Sequence, residues 1–227
     1  MSTSLRNNGA VLLSLLAAAL LVAGFALAFF WAPEAQDDPA FRIFYLHVPV
    51  ALTAYACFGW GGWKALRLLW TRDERYDLES YVAIHMGVIF GLLALVTGSV
   101  WARYTWGVWW TWDERQLVLF LVLFLFYSAY FMLRFSTPAG PRRARTSAVY
   151  ALFGVALIPV SFLAIRLAER YIHPVVLTRD PKIENEMLAS FGVCLAGMLT
   201  LAGALYLVEL AGKRADARLS ELRELVA

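Results

Sequence analysis

Six apolar stretches run through the chain: Ala10 to Trp31, Phe44 to Trp63, Tyr81 to Trp101, Leu117 to Leu133, Ser147 to Ile165 and Met187 to Val208. Each is close to the ~20 residues with which a helix, rising ~1.5 Å per residue, crosses about 30 Å of hydrocarbon. A chain built this way is predicted to be an all-α polytopic membrane protein with six transmembrane helices. Composition agrees: 61% of the residues are hydrophobic, 16% are charged, and the mean hydropathy is +0.62, outside the balance of a soluble domain. Residues 1–227 are predicted to form a single membrane domain, since no long linker, low-complexity tract or internal repeat interrupts them.

Basic residues orient the bundle. With both termini in the cytoplasm, thirteen of the twenty Lys and Arg lie on the cytoplasmic side, among them Lys64, Arg67, Arg72, Arg75, Arg134, Arg142, Arg143 and Arg145. That excess follows the positive-inside rule, and it places the segment between helices three and four outside. Arg6, the first apolar run and Ala26-Leu27-Ala28 resemble a signal peptide. The run is longer than the ~7–15 residues of a signal core, so a retained helix is expected. Ser136 to Pro141, with two prolines and a glycine, separates helix four from helix five. In the tail, residues 213–227, charge alternates with Leu219, Leu222, Leu225 and Val226. It reads either as a short amphipathic helix on the membrane surface or against a partner, or as a frayed solvated end.

The outward segment, residues 101–115, reads WARYTWGVWWTWDER and holds five of the nine tryptophans. An interfacial aromatic belt accounts for Trp31, Trp63, Trp70 and Trp101, but less well for residues 106–112. Trp106, Trp109 and Trp110 stand at i,i+3 and i,i+4, Trp112 is expected to point away, and Gly107 gives the bulky run backbone freedom. Several indole faces can cover a large planar aromatic ligand. Arg103 and Arg115 flank them and suit carboxylates. Asp113 can instead neutralise Arg115 or accept from an indole N–H.

His47 lies one turn inside the outer end of helix two, and His173 follows helix five in an outer loop. His85 sits near the cytoplasmic end of helix three, too far away to join them. A lone interfacial histidine is more often structural than a ligand. Two on the same side as the tryptophans point to haem iron, whose two axial positions a pair of imidazoles can close. Cys57 and Cys194 fall mid-helix with neither a C-x-x-C pair nor a C-x-x-C-H site. They are read as core residues rather than redox or haem-attachment groups. Gly87 and Gly91 form a G-x-x-x-G pattern suited to close helix packing.

Trp106-Gly107-Val108-Trp109-Trp110-Thr111-Trp112-Asp113 resembles the W-G-x-W-W-x-W-D signature of the WWD family of haem-handling proteins in cytochrome c biogenesis. Six spans, compact length, Tyr45-Leu46-His47-Val48-Pro49 before the signature and an outer-loop histidine after it make the chain most similar to the CcmC family of system I. The likeness runs from Arg42 to helix six; Glu114 and Gln116-Leu117 depart mildly from the usual continuation. The resemblance implies a non-covalent b-type haem at the outer face of the bacterial cytoplasmic membrane. His47 and His173 would be its axial ligands. Trp106, Gly107, Trp109, Trp110, Trp112 and Asp113 would form its platform. It further implies delivery to the periplasmic haem chaperone CcmE and a complex with CcmA, CcmB and CcmD. Membrane lipid is the expected surrounding and no nucleic acid is expected. Binding and transfer, rather than turnover, is the expected activity. Competing readings are a CcsA-like cytochrome c synthase component, a membrane electron-transfer b-type cytochrome, and a polytopic lipid-linked glycosyltransferase using Asp113 and the arginines.

Overall fold

The computed structural model describes residues 3–33, 39–167 and 184–226. Among these, six helices follow one another: α1 Thr3–Phe30, α2 Phe44–Thr71, α3 Arg75–Trp106, α4 Arg115–Ser136, α5 Pro141–Leu167 and α6 Asn185–Val226. A 3-10 turn, Pro39–Ile43, leads into α2, and no strand occurs among the described residues. Every expected apolar stretch falls on one helix. All six helices are long and apolar enough to cross a membrane, with mean hydropathies of 1.4 to 2.6 over their richest windows. The chain is a multi-pass membrane protein.

The connections alternate between two ends of the bundle. Residues 107–114, Arg42 and the first turn of α6 lie at one, called here the tryptophan end. The turns at 72–74 and 137–140 and the last turns of α6 lie at the other, the basic end. α2 packs most extensively on α3, α1 on α6 and α4 on α5, and α2 also meets α5 and α6. The inner helices are therefore α2 and α3: 44% of the apolar window of α3 is buried, against 11% of that of α1.

In lipid the hydrophobic effect does not bring helices together, so close packing and interhelical hydrogen bonds must. Glycines supply the closeness at chosen places. Phe58 of α2 is fully buried and stacks on Tyr127 of α4, with ring centroids 4.0 Å apart and planes within 4°. It can do so because Gly87 of α3 leaves its ring the space of a side chain, as Gly154 of α5 does for the Tyr127 ring. Gly91 similarly faces Phe124. The G-x-x-x-G pattern thus receives aromatic side chains from α2 and α4. Ser80 donates to the Gly61 carbonyl at 2.8 Å, joining α3 to α2.

Gly24 holds α1 against α6. A Cβ built there would stand 2.8 Å from Cys194 Sγ and 3.0 Å from the Cys194 backbone nitrogen, so any side chain must push the helices apart. Cys194 is fully buried and Cys57 partly so, both as free thiols. Gly24→Leu is expected to speed alkylation of Cys194 by a membrane-permeant maleimide at least several-fold. A labelling rate equal to that of the unmodified protein would show that α1 does not shield this face.

The tail is helical: from Lys213 onward it continues α6 without a break to Val226. No proline interrupts the forty-two residues, and the turns before Lys213 are already helical, so propagation costs little once the helix is nucleated. Leu219, Leu222 and Leu225 remain exposed along it.

Charge is concentrated where the helices meet at the basic end. Arg134 of α4 donates from both terminal nitrogens to the two oxygens of Asp77 of α3, each at 2.7 Å, and its guanidinium lies 4.8 Å from the Tyr81 ring centroid. Glu79 is gripped by Lys64 of α2 and Arg214 of α6, both at 2.9 Å. His85 bonds Glu209 of α6 at 2.9 Å, and Lys213 stands 3.7 Å from the same carboxylate. Four helices are tied together by acids that their apolar surroundings would otherwise exclude.

Candidate functional site

At the tryptophan end α3 stops at Trp106 because Gly107 adopts φ +77°, a left-handed conformation that glycine takes without penalty. Arg103, in the last turn, donates to the Gly107 carbonyl and places its charge at the negative end of the helix. Part of its donor set is thereby used to hold the turn, and the rest of the guanidinium fork is available to an anion.

Because the helix ends there, the i,i+3 and i,i+4 spacing of Trp106, Trp109 and Trp110 does not place them on one helical face. Residues 107–114 are non-helical, and the indoles pair differently. Trp106 packs on Trp101, with centroids 5.3 Å apart. Trp112, expected to point away, meets Trp110 edge-on at 5.7 Å and 70°. Trp109 and Trp112 are 61% and 71% exposed, whereas Trp110 is half-buried. The Trp110 indole nitrogen is buried without a hydrogen-bond partner, an arrangement that costs on the order of 1–3 kcal/mol unless an acceptor meets it.

Asp113 and Arg115 do not pair with each other. The Asp113 backbone N–H donates to Thr111 Oγ1 at 3.4 Å, and Arg115 opens the first turn of α4 with its side chain exposed. Glu114, between them, is 3% exposed and buried at the start of that helix.

His47 lies in the first turns of α2. Its Nδ1 is 3.0 Å from Thr97 Oγ1 of α3. Gly98 lies under the ring, where a Cβ would come within 2.9 Å of His47 Cε1. Pro49 falls in the second turn of α2, beyond the first-turn position where proline is best tolerated, because the helix starts at Phe44. Having no N–H, it cannot bond the Tyr45 carbonyl, so the turn that carries His47 lacks one rung.

One turn further along α3, Trp101 and Tyr104 border an open groove of about 430 Å³ shared with Phe25 and Phe29 of α1 and with Ile43 and Leu46 beside His47. Trp101, expected to be an interface anchor, therefore joins the groove to Trp106. Arg42 also lines the groove, but its guanidinium donates to the Ala28 and Phe29 carbonyls at 2.6 and 2.7 Å, closing the end of α1.

His173 lies outside the described residues. His85 is held at the other end of α3, about 18 Å from Thr97 along the helix. Thr97 and Gly98 were not singled out in the sequence. Their one visible signal was the Thr97-Gly98-Ser99 run a single turn before Trp101.

The model of one protein family, described as CcmC, heme exporter protein C, matches residues 2–223 of the chain. Proteins named heme exporter protein C are similar to it. That of Paracoccus denitrificans is 32% identical over 173 residues, covering 74% of this chain and 70% of its own. That of Haemophilus influenzae is 28% identical over 193 residues, covering 84% and 78%, and that of Escherichia coli K12 is 31% identical over 150 residues, covering 65% and 60%.

Proposed function

From its membership of the heme exporter protein C family, CcmC, to which this chain belongs, we propose that it binds haem non-covalently at the tryptophan end and hands it to a chaperone. The general role, haem handling in cytochrome c maturation, comes with the family. The finer reading concerns residues. His47 and His173 are the axial ligands of a b-type haem. Trp106, Trp109, Trp110 and Trp112 cover the macrocycle, with Gly107 and Asp113 shaping the segment that presents them. Arg103 and Arg115 receive the propionates. The receiving chaperone is CcmE, and CcmA, CcmB and CcmD are the partners in the cytoplasmic membrane of a bacterium, with the haem site facing the periplasm.

What supports this most is one observation: His47, braced on Thr97 and Gly98, sits beside an aromatic groove lined in part by Trp101, which packs on Trp106 at a tilt. The chemistry of the surroundings fits a porphyrin with carboxylate arms. The groove is lined almost wholly by apolar and aromatic side chains, the Trp110 N–H lacks an acceptor, and Arg115 stands exposed at the positive end of α4, where an anion is favoured. Bound haem supplies the cargo iron. The chain's own part is to close the axial positions, keep water and oxygen from the metal, and release a ligand at transfer. The missing rung at Pro49 makes the His47 turn less costly to move than an intact helical turn.

The test is an optical spectrum of the purified full chain from haem-replete cells, followed by pyridine extraction. About one extractable b-type haem per chain is expected, with a low-spin spectrum. A chain that remains free of haem under those conditions overturns the reading.

A further inference from the structure

We infer that Thr97 is a positioning residue that holds His47 in the tautomer with its proton on Nδ1, so that Nε2 is the nitrogen offered to iron; the second half rests on the haem reading above. A threonine hydroxyl has one hydrogen and two lone pairs. Thr97 Oγ1 stands 2.8 Å from the Leu93 carbonyl and 3.3 Å from that of Ala94, so its hydrogen is directed back into its own helix. What Oγ1 presents to His47 Nδ1, 3.0 Å away, is a lone pair. Two acceptors cannot bond each other, so the ring nitrogen brings the proton.

Gly98 fixes the rest of the pose. A Cβ at that position would lie 2.9 Å from Cε1, 3.5 Å from Nδ1 and 3.6 Å from Nε2 of His47, which puts that side of the imidazole over a bare patch of α3. Thr97 and Gly98 therefore act together, one choosing the tautomer and the other giving the ring its seat. Trp101 follows them by four and three residues, on the same face of α3. A neutral imidazole binds metal through the nitrogen that lacks the proton, and the hydrogen bond made by the other nitrogen decides which that is.

The experiment uses the full chain in lipid nanodiscs, without haem, labelled with 15N-histidine, at a pH where imidazole is neutral. The His47 signal is identified by its absence in His47→Ala. In the unmodified protein it should show a protonated-type Nδ1 and an unprotonated-type Nε2. Thr97→Val, of equal shape but without an acceptor, should lose that preference, and Thr97→Ser should keep it. With haem added, Thr97→Val should bind on the order of 10-fold more weakly and with an altered iron potential, and Thr97→Ser should bind as the unmodified protein does. A proton found on Nε2 in the unmodified protein, which needs no variant to fold, overturns the inference. So does a Thr97→Val protein that retains the Nδ1 proton. If the tautomer is as stated but His47→Ala keeps its haem unchanged, ligation by His47 fails, and with it the role of Nε2, while the hold of Thr97 on the ring stands.

Discussion

Replacing His47 with Ala is expected to remove more than nine-tenths of the haem that co-purifies with the protein, and to convert what remains to a high-spin spectrum. The substitution deletes an axial ligand, whereas losing an outer partner of a ligand already costs about 10–100-fold in affinity. A weakening of at least tenfold, about 1.4 kcal/mol, is thus the lower limit. The fold should be indifferent. His47 is only half-buried, its ring lies against the backbone of Gly98, and the Thr97 hydroxyl beside its Nδ1 is already bonded within its own helix. The truncation leaves a space over Gly98 with the shape of an imidazole. Free imidazole should enter it and restore the low-spin spectrum, an outcome that general loosening of the bundle would not give. Unchanged haem content and spectrum in His47→Ala would rule the residue out as a ligand.

Arg134→Met is expected to be the most destabilising single change at the basic end. Both partners of the Arg134–Asp77 pair are buried, their side chains only 7% and 17% exposed, and the two-pronged geometry satisfies both carboxylate oxygens. Removing the guanidinium leaves Asp77 enclosed without its cation, a loss of about 3–5 kcal/mol. For a chain of this size it should lower the melting temperature in detergent by on the order of 10 °C, as followed by circular dichroism. Adding Asp77→Asn should recover much of the loss, because the penalty comes from the abandoned charge more than from the missing bond. If the double variant melts as low as Arg134→Met alone, the pair is not the unit that stabilises this end.

The six helices were legible because lipid permits few alternatives: a run of about twenty apolar residues had to be a helix, and each run proved to lie on one. Helix ends outside hydrocarbon were less so. Gly107 was recognised as a point of freedom, but whether it would flex a helix or end one depends on its φ and on the carbonyl that Arg103 takes up, which no periodicity reveals. Counting indoles at i,i+3 and i,i+4 therefore grouped Trp106 with Trp109 and Trp110, when its neighbour is Trp101. His47 was visible as a candidate, yet its support comes from α3, fifty positions later in the chain. Thr97 and Gly98 are common residues in membrane helices, and only the approach of α2 gives them meaning. Asp77, Glu79 and Glu209 were hidden for a related reason. Each looks like an ordinary flanking charge until Arg134, Lys64, Arg214 and His85, one from each of four helices, are brought to it.

The uninterrupted run of α6 has a mechanical consequence. At about 1.5 Å per residue its forty-two residues measure roughly 63 Å, twice the thickness of the hydrocarbon they cross. The surplus projects past the knot of charges that grips the helix through Glu209, Lys213 and Arg214. With no proline to act as a joint, the projecting turns and the clamped ones form one continuous helix. A partner that displaces the projecting turns therefore acts first on the Glu209–His85 and Arg214–Glu79 contacts at the clamp.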